Sequence, residues 1–362
     1  MKCSVIINRI CLYQVENSFH RIVAVLEEEG RLLKGLILCA GKGSRLYPFT
    51  YSQPKTLIPV ANTPLLQLSI VKLVEIGIDQ VGIVIHPSQE ASIRGQFGEG
   101  EALGISISYI YQHEAKGIAH AVKQAEAFMS DEAFLLLLGD NVISAPLSVL
   151  KKDIELGGVQ ASLLLAEVAV PQDYGIAEIR DSRIVGLEEK PTNPKSNLAV
   201  MGAYAFTKEI FAAVSEITPS KRGELEITDA IQWLIEQRHD VAYHVTDQLS
   251  IDVGTMERWL QANQKLLDAV ASNNRVHNSA RLERCTIVEP VSIGKDCVLK
   301  DCRIGPYVSV GAGSLLENCH IEECIILDGV HVKDLPFPLK NVIIGDHSIV
   351  AGVLIDEEVK EP

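Results

Sequence analysis

A repeat of seventeen residues runs through the last third of the chain and restricts its fold more tightly than any other feature of the sequence. Three columns of apolar residues and one column of cysteines share this step: Val291, Val308, Ile325, Val342; Ile293, Val310, Leu327, Ile344; Val298, Leu315, Val332, Ile349; and Cys285, Cys302, Cys319. Apolar columns at a fixed period are typical of stacked repeats, in which each unit buries its apolar face against its neighbours.

The spacing inside each repeat indicates the kind of stack. Apolar residues recur after five or six positions and are often followed by glycine, as at Gly294, Gly305 and Gly311. This pattern predicts a parallel β-helix of the left-handed type over residues 279–355, with a triangular cross-section and coils of seventeen residues. We expect the cysteine column to stack as buried, reduced thiols. We also expect the third coil to be interrupted at Leu335-Pro336-Phe337-Pro338.

The role of this β-helix is less clearly marked in the sequence. Such helices in acyltransferases carry a catalytic histidine at subunit contacts. Only about four coils are predicted here, and the segment has no second glycine-rich site. We therefore expect assembly or capping rather than acetyl transfer, and the sequence leaves homo-oligomerisation open.

Strands and helices alternate before the repeat. The predicted strands are Gly35 to Cys39, Val81 to Ile85, Ile105 to Tyr111 and Phe134 to Leu138; the predicted helices are Leu65 to Ile76, a shorter one after Pro87, and Ile118 to Phe128. This order predicts an α/β domain over residues 33–272, with a Rossmann-like, mostly parallel sheet. Ligands of such sheets bind at the carboxyl ends of the strands.

Composition excludes several classes of partner. The chain of 362 residues is long enough for two domains, and its apolar content of 47% is sufficient for a full core. A net charge of −14 argues against general affinity for nucleic acid or anionic membranes. No apolar run approaches the roughly 18 residues that suggest a membrane span. These properties predict a cytoplasmic protein without nucleic-acid or membrane partners.

Residues 1–32 fit neither predicted domain. Arg9 interrupts their apolar run and no small-residue cleavage site follows, so they are not a secretory signal. Glu27-Glu28-Glu29-Gly30 would be encoded by purine-rich codons of the kind found before bacterial start sites. Our hypothesis is that this extension is not native and that translation starts at Leu33.

A glycine loop follows the first predicted strand. It carries Gly41, Gly43, Ser44 and Arg45, and Lys55 comes shortly after it. The spacing fits neither a Walker A loop nor the dinucleotide fingerprint. Glycines let backbone amides approach a polyphosphate, and arginine and lysine supply positive charge. A glycine turn with two surface cations is the alternative interpretation of the glycines alone.

Two aspartates follow predicted strands. Asp140 comes after the apolar run ending at Leu138 and Gly139, and Asp252 precedes the helix predicted from Thr255 to Val270. Mg²⁺ prefers oxygen ligands, often one or two carboxylates together with substrate phosphates. This pair therefore predicts a magnesium site, although either aspartate alone is equally compatible with a helix cap.

The motifs together resemble those of sugar-1-phosphate nucleotidyltransferases, and are most similar to the long form of glucose-1-phosphate thymidylyltransferase. The resemblance rests on the stretch from Leu36 to Pro64, LGDN from Leu138, EEKP from Glu188 and RGELEITDAIQWLIE from Arg222. It covers nearly all of the chain from Leu33. It implies that Asp140 and Asp252 hold Mg²⁺, and that dTTP and glucose 1-phosphate are the substrates.

The resemblance also implies roles for individual residues. Arg45 and Lys55 would be catalytic: Arg45 suits the α/β-phosphates and the leaving pyrophosphate, and Lys55 suits the attacking phosphate and the α-phosphoryl group. The nucleotide would contact Leu38, Ala40, Gly41, Gly43, Ser44, Gln112 and Gly117. The sugar phosphate would contact Tyr174, Gly175, Glu189, Lys190, Val200 and Gly202. The motif from Glu224 to Asp229 is interpreted as structural, with Thr228 and Asp229 starting a helix from Ala230 to Glu236.

Three departures from the family pattern leave the base and the sugar open. Thr56 stands where the thymidylyl family usually has Gln, Ala115 replaces a Pro, and Ser250-Ile251 precede Asp252 where Trp or Lys is usual. We expect transfer of a thymidylyl group to glucose 1-phosphate, giving dTDP-glucose for deoxysugar (rhamnose-type) synthesis, and pyrophosphate. The alternatives are a UTP- or GTP-dependent enzyme of the same family and a non-catalytic regulatory subunit that binds sugar nucleotides.

Overall fold

The computed structural model describes residues 33–269 and 275–352. The predicted extension 1–32, part of the linker predicted from Ser272 to Asn278, and the end of the predicted β-helix lie outside the described residues. The described residues fall into two compact units. The sheet unit contains residues 33–58 and Leu65–Asp252, and the coil unit contains Pro59–Pro64 and residues 253–269 and 275–352. Within the described ranges, every helix is too short or too polar to cross a membrane.

The elements before the coils are short. The strands are β1 (Lys34–Leu38), β2 (Pro59–Val60), β3 (Thr63–Pro64), β4 (Gln80–Ile85), β5 (Ser106–Tyr111), β6 (Phe134–Leu138), β7 (Asn141–Ile143), β8 (Ala161–Glu167), β9 (Gly175–Arg180), β10 (Arg183–Glu189), β11 (Leu198–Phe206), β12 (Val241–Val245) and β13 (Ser250–Asp252). The α-helices are α1 (Leu65–Val74), α2 (Glu90–Phe97), α3 (Ile118–Gln124), α4 (Glu126–Met129), α5 (Ser148–Leu156), α6 (Glu209–Glu216), α7 (Ile227–Glu236) and α8 (Met256–Ala269).

One mixed sheet organises the sheet unit. Its main path is β10-β9-β11-β6-β1-β4-β5, and β8 joins β11 to β12. The strands β6, β1, β4 and β5 are mutually parallel, with Leu38 of β1 beside Val84 and Leu138. This part confirms the predicted Rossmann-like parallel sheet. The second half is joined on by β11, which is antiparallel to β6, β8 and β9.

The central strands are apolar throughout because both faces of the sheet are covered. Leu36 and Leu136 belong to one buried cluster, and Ile37 and Leu137 belong to the other. Side chains alternate between the faces of a strand, so a fully apolar run fills two cores at once. Helix α1 supplies Leu66 and other residues to one core, whereas α3, α6 and α7 cover the opposite face. Because β1, β4, β5 and β6 are parallel, their carboxyl ends lie at the same edge of the sheet.

Three of the predicted helices differ from those observed. The helix predicted from Ala230 to Glu236 begins earlier, at Ile227. The helix predicted from Leu65 to Ile76 ends as an α-helix at Val74, where the chain tightens into a turn with Ile76 N donating to Leu73 O at 3.2 Å. The helix predicted from Ile118 to Phe128 is divided into α3 and α4 around Ala125, whose amide bonds to Val122 O.

Residues 275–352 of the coil unit form a left-handed parallel β-helix, as predicted. Its strands are β14 (Arg275–Val276), β15 (Arg281–Glu283), β16 (Thr286–Ile287), β17 (Val291–Ile293), β18 (Val298–Lys300), β19 (Arg303–Ile304), β20 (Val308–Val310), β21 (Leu315–Glu317), β22 (His320–Glu322), β23 (Ile325–Ile326), β24 (His331–Lys333), β25 (Leu339–Lys340), β26 (Ile343–Ile344) and β27 (Ile349–Ala351). Every third strand stacks in one of three parallel sheets. These are the three walls of the triangular cross-section.

The prediction of seventeen residues in every coil is wrong for the later coils. Val291 pairs with Val308 at a step of seventeen, but Ser309 pairs with Ile325 and Ile325 with Ile343, steps of sixteen and eighteen. The corner after β22 is one residue short, and the loop containing Leu335 to Pro338 adds residues before β25. That loop does not end the stack, because β25 still pairs with β22.

The cysteine column is partly as predicted. Cys302 and Cys319 are buried and their sulfur atoms lie 3.5 Å apart, whereas Cys285 is half-buried. The column therefore packs as stacked thiols only in its inner part.

Candidate active site

Lys55 lies between the two predicted metal ligands. Its Nζ atom is 2.5 Å from Oδ2 of Asp140 and 3.3 Å from Oδ1 of Asp252. The lysine side chain is 8% exposed, whereas the aspartates are 31% and 28% exposed. A buried ammonium requires paired anions. The carboxylates meet the same cation and keep part of their surface open to a ligand.

The local fold explains why these three groups converge. Lys55 begins a single 3-10 turn, Lys55–Leu57, after Pro54. Asp140 follows Gly139 directly beyond β6, and Asp252 ends β13. Strand β13 is antiparallel to β7, with Asp252 beside Asn141. This pairing brings the second aspartate next to the segment that carries the first.

The glycine loop packs against Lys55. Gly43 has a left-handed φ of 65°, and a Cβ atom there would lie 2.9 Å from the Cβ of Lys55. The Thr50 hydroxyl donates to Gly43 O at 2.7 Å and fixes the turn. Only glycine combines this conformation with so close an approach. The conformation of the glycine loop and the position of Lys55 therefore depend on each other.

The start of the loop extends the sheet. The amide of Cys39 donates to Val84 O at 2.7 Å, and Gly139 N donates to Leu38 O at 3.0 Å. Leu38 and Ala40 are half-buried, whereas Gly41 and Ser44 are exposed. The predicted nucleotide contacts therefore lie at the carboxyl edge of the parallel strands, where the backbone turns away from the sheet.

One contact that supports the loop was not predicted from the sequence. Gln89 bridges the loop and the end of β4: its Nε2 donates to Gly41 O at 3.3 Å, and its Oε1 accepts from the His86 amide at 2.8 Å. The residue lies in the turn Pro87–Gln89 rather than in any recognised motif. Its position just beyond a parallel strand is the one sequence signal that points to it.

Arg45 is placed differently from Lys55. It lies in the exposed turn Ser44–Leu46, next to Gly43. No hydrogen bond or ion pair joins it to Lys55 or Asp140 within the described residues. Its guanidinium is exposed and accessible to a ligand, but no contact within the described residues fixes it beside Lys55.

Gln112 and Gly117 meet beyond β5. Gln112 is 5% exposed, and its Nε2 lies 3.3 Å from Gly117 O and 2.9 Å from Nδ1 of His120. Gly117 has a φ of 100°, and a Cβ atom there would lie 2.4 Å from Leu225 O. Leu225 also accepts from Ala119 N at 3.0 Å. The chain around Leu225 therefore holds this loop in place.

Four predicted sugar-phosphate residues lie together where β9 and β10 pair. Gly175 starts β9 opposite Glu189 at the end of β10. Lys190 adopts a left-handed φ of 44°, and its amide donates to Tyr174 O at 3.0 Å. A Cβ atom on Gly175 would lie 2.5 Å from Thr228 Cγ2 and 3.1 Å from Glu189 Oε2. Glycine at this position thus leaves room for the Glu189 carboxylate.

The Glu189 carboxylate is held from the motif that we interpreted as only structural. Thr228 Oγ1 donates to Glu189 Oε2 at 3.2 Å, and Arg222 lies 3.5 Å from Oε1. Burial raises the pKa of Glu189 above its ordinary value, and the nearby Glu226 carboxylate raises it further, while Lys190, Arg222 and Thr228 act in the opposite direction. A carboxylate tuned in this way is typical of a binding site.

Val200 and Gly202 lie on β11, beside an irregularity in its pairing with β8. Gly202 has a φ of 63°, and a Cβ atom there would be 2.2 Å from Nδ2 of Asn141. Asn141 is buried next to Asp140, and its Oδ1 has no hydrogen-bond partner among the described residues. This contact connects the strand of the predicted sugar site to the segment of the two aspartates.

The residues fit a magnesium ion that is shared with a substrate. No group of three or more histidine, cysteine, aspartate or glutamate side chains in the described ranges is arranged to hold a metal alone. Mg²⁺ keeps several water ligands and is commonly bound by one or two carboxylates plus phosphate oxygens. The partly exposed carboxylate side chains of Asp140 and Asp252 match that donor set.

The family model described as Nucleotidyl transferase matches residues 34–269. This chain belongs to the nucleotidyl transferase family. The match covers the sheet unit with its Lys55–Asp140–Asp252 cluster and extends through α8. It confirms the resemblance recognised from the sequence motifs.

Individual relatives agree with the family assignment. The nucleotidyltransferase Agl11 of low-salt glycan biosynthesis in Haloferax volcanii is 40% identical over 237 residues, 65% of this chain and 66% of that protein. A glucose-1-phosphate thymidylyltransferase of Streptomyces griseus is 33% identical over 350 residues, 87% of this chain and 98% of that protein. A solved UDP-glucose pyrophosphorylase with bound UDP-glucose is 27% identical, with a TM-score of 0.57 over 64% of this chain and 97% of that one.

Proposed function

We propose that this protein transfers a thymidylyl group from dTTP to glucose 1-phosphate and releases pyrophosphate. The observation that carries the proposal is the Lys55–Asp140–Asp252 cluster. It lies at the sheet edge where the glycine loop begins, and Asn141 and Gly202 connect it to the strand of the predicted sugar site. Support for the thymidylyl and glucosyl choices comes from the motif resemblance and from the Streptomyces relative, which matches across 98% of its length.

The reaction requires charge and alignment more than proton transfer. A phosphate oxygen of the sugar phosphate attacks the α-phosphorus of the nucleotide, a new oxygen–phosphorus bond forms, and the bond from the α-phosphorus to the bridging oxygen breaks. Pyrophosphate leaves with that oxygen. Because the nucleophile is already an anion, no general base is needed, and the barrier lies in bringing anions together at the phosphorus.

The residues of the cluster suit this requirement. Lys55 places a fixed positive charge where the attacking phosphate and the α-phosphoryl group would meet. Arg45, exposed above the loop, presents a planar fork to the phosphates of the leaving group. Asp140 and Asp252 would hold the magnesium ion, which neutralises phosphate charge when bound. The backbone amides of Gly41 and Gly43 would also donate hydrogen bonds to the phosphates.

The two substrates would occupy opposite sides of the cluster. Gln112 and Gly117 lie beyond β5 and would contact the base, since an amide side chain can pair with the polar edge of thymine or uracil. Glu189, with Tyr174 and Gly175 beside it, would accept hydrogen bonds from sugar hydroxyls, and Lys190 would contact the sugar phosphate. Val200 and Gly202 would line the same side.

A uridylyltransferase is the second candidate. Thymine and uracil present the same polar edge to Gln112, and the solved relative with UDP-glucose favours this alternative. Thr56 is buried beside Lys55, at the position where the thymidylyl family usually has Gln. This residue therefore does not decide between dTTP and UTP. A GTP-dependent enzyme and a non-catalytic regulatory subunit are the remaining alternatives.

One experiment separates these functions. The full-length protein is incubated with Mg²⁺ and each pair from a panel of nucleoside triphosphates and sugar 1-phosphates, and pyrophosphate release is measured. Asp140→Asn serves as the negative control. We expect the highest kcat/KM for dTTP with glucose 1-phosphate. Preference for UTP or GTP would overturn the thymidylyl assignment, and no release with any pair would overturn the enzymatic one.

A further inference from the structure

The side-chain amide of Gln112 is held from two directions. Its Nε2 lies 3.3 Å from the carbonyl oxygen of Gly117 and 2.9 Å from Nδ1 of His120. A carbonyl oxygen can only accept a hydrogen bond, so the atom beside Gly117 is the amide nitrogen. Its two hydrogens are then directed to Gly117 O and His120 Nδ1. The carbonyl oxygen Oε1 is the part of this amide left for a ligand.

We propose that His120 is a positioning residue that fixes the orientation of Gln112, so that Gln112 Oε1 selects a nucleobase that presents an N–H group. This inference rests on the proposed function, in which Gln112 contacts the base. Thymine and uracil both present N3–H as a donor, whereas cytosine has an unprotonated, accepting N3 at the same place. An oxygen fixed in this orientation pairs with the first two bases and is repelled by the third.

The arrangement requires a neutral imidazole. For Nδ1 to accept from Gln112, the ring must carry its proton on Nε2. That nitrogen lies 3.4 Å from Nε2 of the exposed Gln124, so the Gln124 amide has to turn its oxygen toward the ring in this tautomer. Burial lowers the pKa of His120, the positive charges of Lys116 and Lys123 lower it further, and Glu114 opposes them. The surroundings thus keep the ring neutral at physiological pH.

Protonation would weaken the selection. A protonated Nδ1 is a donor and would face the donating Nε2 of Gln112, while Gly117 O still requires the amide nitrogen on its side, so the amide would lose its fixed orientation. Affinity for dTTP should therefore be full at neutral pH and fall as the pH drops through the lowered pKa of His120. Affinity for dCTP should change less, so the preference for dTTP over dCTP should become smaller at acid pH.

Equilibrium binding of dTTP and dCTP with Mg²⁺ to the full-length protein tests this inference without requiring turnover. His120→Leu removes the acceptor, and we expect dTTP binding to weaken by roughly 3- to 10-fold, the range of one hydrogen bond, with a smaller preference over dCTP. His120→Gln restores an accepting oxygen that does not titrate. It should keep dTTP affinity and lose the acid-dependent weakening.

His113→Leu is the matched control, because His113 is an exposed histidine next to Gln112 on the same loop. We expect it to bind both nucleotides like the wild type, and thermal unfolding verifies that all three variants are folded. The inference is overturned if folded His120→Leu keeps the dTTP preference, if His120→Gln loses affinity equally, or if the protein binds neither nucleotide. Absence of pyrophosphate release with intact dTTP selectivity would instead overturn the proposed function alone.

Discussion

The hydroxyl of Thr228 donates a hydrogen bond to Oε2 of Glu189 at 3.2 Å, which links the first turn of α7 to the end of β10. The methyl group of the same threonine lies where a side chain on Gly175 would have to be. One residue of α7 therefore sets both the orientation of the carboxylate and the space in front of it. The motif around Thr228 is consequently part of the predicted sugar site as well as a helix start.

Replacement of Thr228 by Val should weaken sugar-phosphate binding specifically. The substitution keeps the shape and removes the donor to Glu189, so the carboxylate loses one of the groups that orient it. We expect KM for glucose 1-phosphate to rise by roughly 3- to 10-fold, with little change in KM for the nucleotide. Thr228→Ser keeps the hydroxyl and should retain most of the affinity. Equal effects of Val and Ser would contradict this role.

Glu226→Gln should move the acid-side rise in KM for the sugar phosphate to lower pH. Burial raises the pKa of Glu189 and the Glu226 carboxylate raises it further, so Glu189 loses its charge at a higher pH than an ordinary glutamate as the solution is acidified. Removing that charge lowers the pKa of Glu189. The rise in KM for the sugar phosphate on acidification should therefore begin at lower pH in the variant.

The half-buried Glu224 provides the control for that experiment. It pairs with Arg222 as Glu226 does, but the carboxylate that raises the pKa of Glu189 is that of Glu226. Glu224→Gln should leave the acid-side rise in KM where it is in the wild type. A shift of the same size in both variants would assign the effect to Arg222 rather than to direct repulsion between Glu226 and Glu189.

Lys55→Met should lower kcat/KM strongly. The variant loses the cation between Asp140 and Asp252 and the charge proposed to stabilise the transition state, so we expect kcat/KM to fall roughly 10²-fold or more. Lys42→Met removes an exposed cation of the same loop and is the matched control, with an expected loss of less than about 3-fold. Comparable losses in the two variants would indicate a general electrostatic effect. Steady-state kinetics with saturating Mg²⁺ measure both.

The parts of the fold that depend on local patterns could be predicted from the sequence. Strand β6 has the predicted bounds, Phe134–Leu138, because a strand covered on both faces must be apolar at every position. The β-helix was recognised because the apolar residues of its walls recur at a regular spacing in the sequence. The change of coil length after β22 was missed, since insertions at the corners do not alter the apolar character of the columns.

The site was predictable only where a motif marks it. Lys55, Asp140 and Asp252 were selected from separate motifs, and the structure places them in contact. His120 and Gln89 carry no such mark, because they act through hydrogen bonds to their neighbours rather than through an expected contact with substrate. Contacts such as Thr228 with Glu189 join residues far apart in the chain, and no local periodicity encodes them.

Substitution of Gly117 tests how the Leu225 backbone supports the loop between Gln112 and Gly117. Alanine there would combine an unfavourable φ of 100° with a Cβ atom 2.4 Å from Leu225 O, a backbone atom that cannot easily move. Gly158 has a similar φ of 92°, and a Cβ atom added there would have no neighbouring atom within 4 Å, so Gly158→Ala isolates the conformational part. We expect the free energy of unfolding to fall by about 2–4 kcal/mol for Gly117→Ala and by about 1 kcal/mol for Gly158→Ala. Urea denaturation measures both values, and equal losses would show that the Leu225 backbone yields and does not fix the loop.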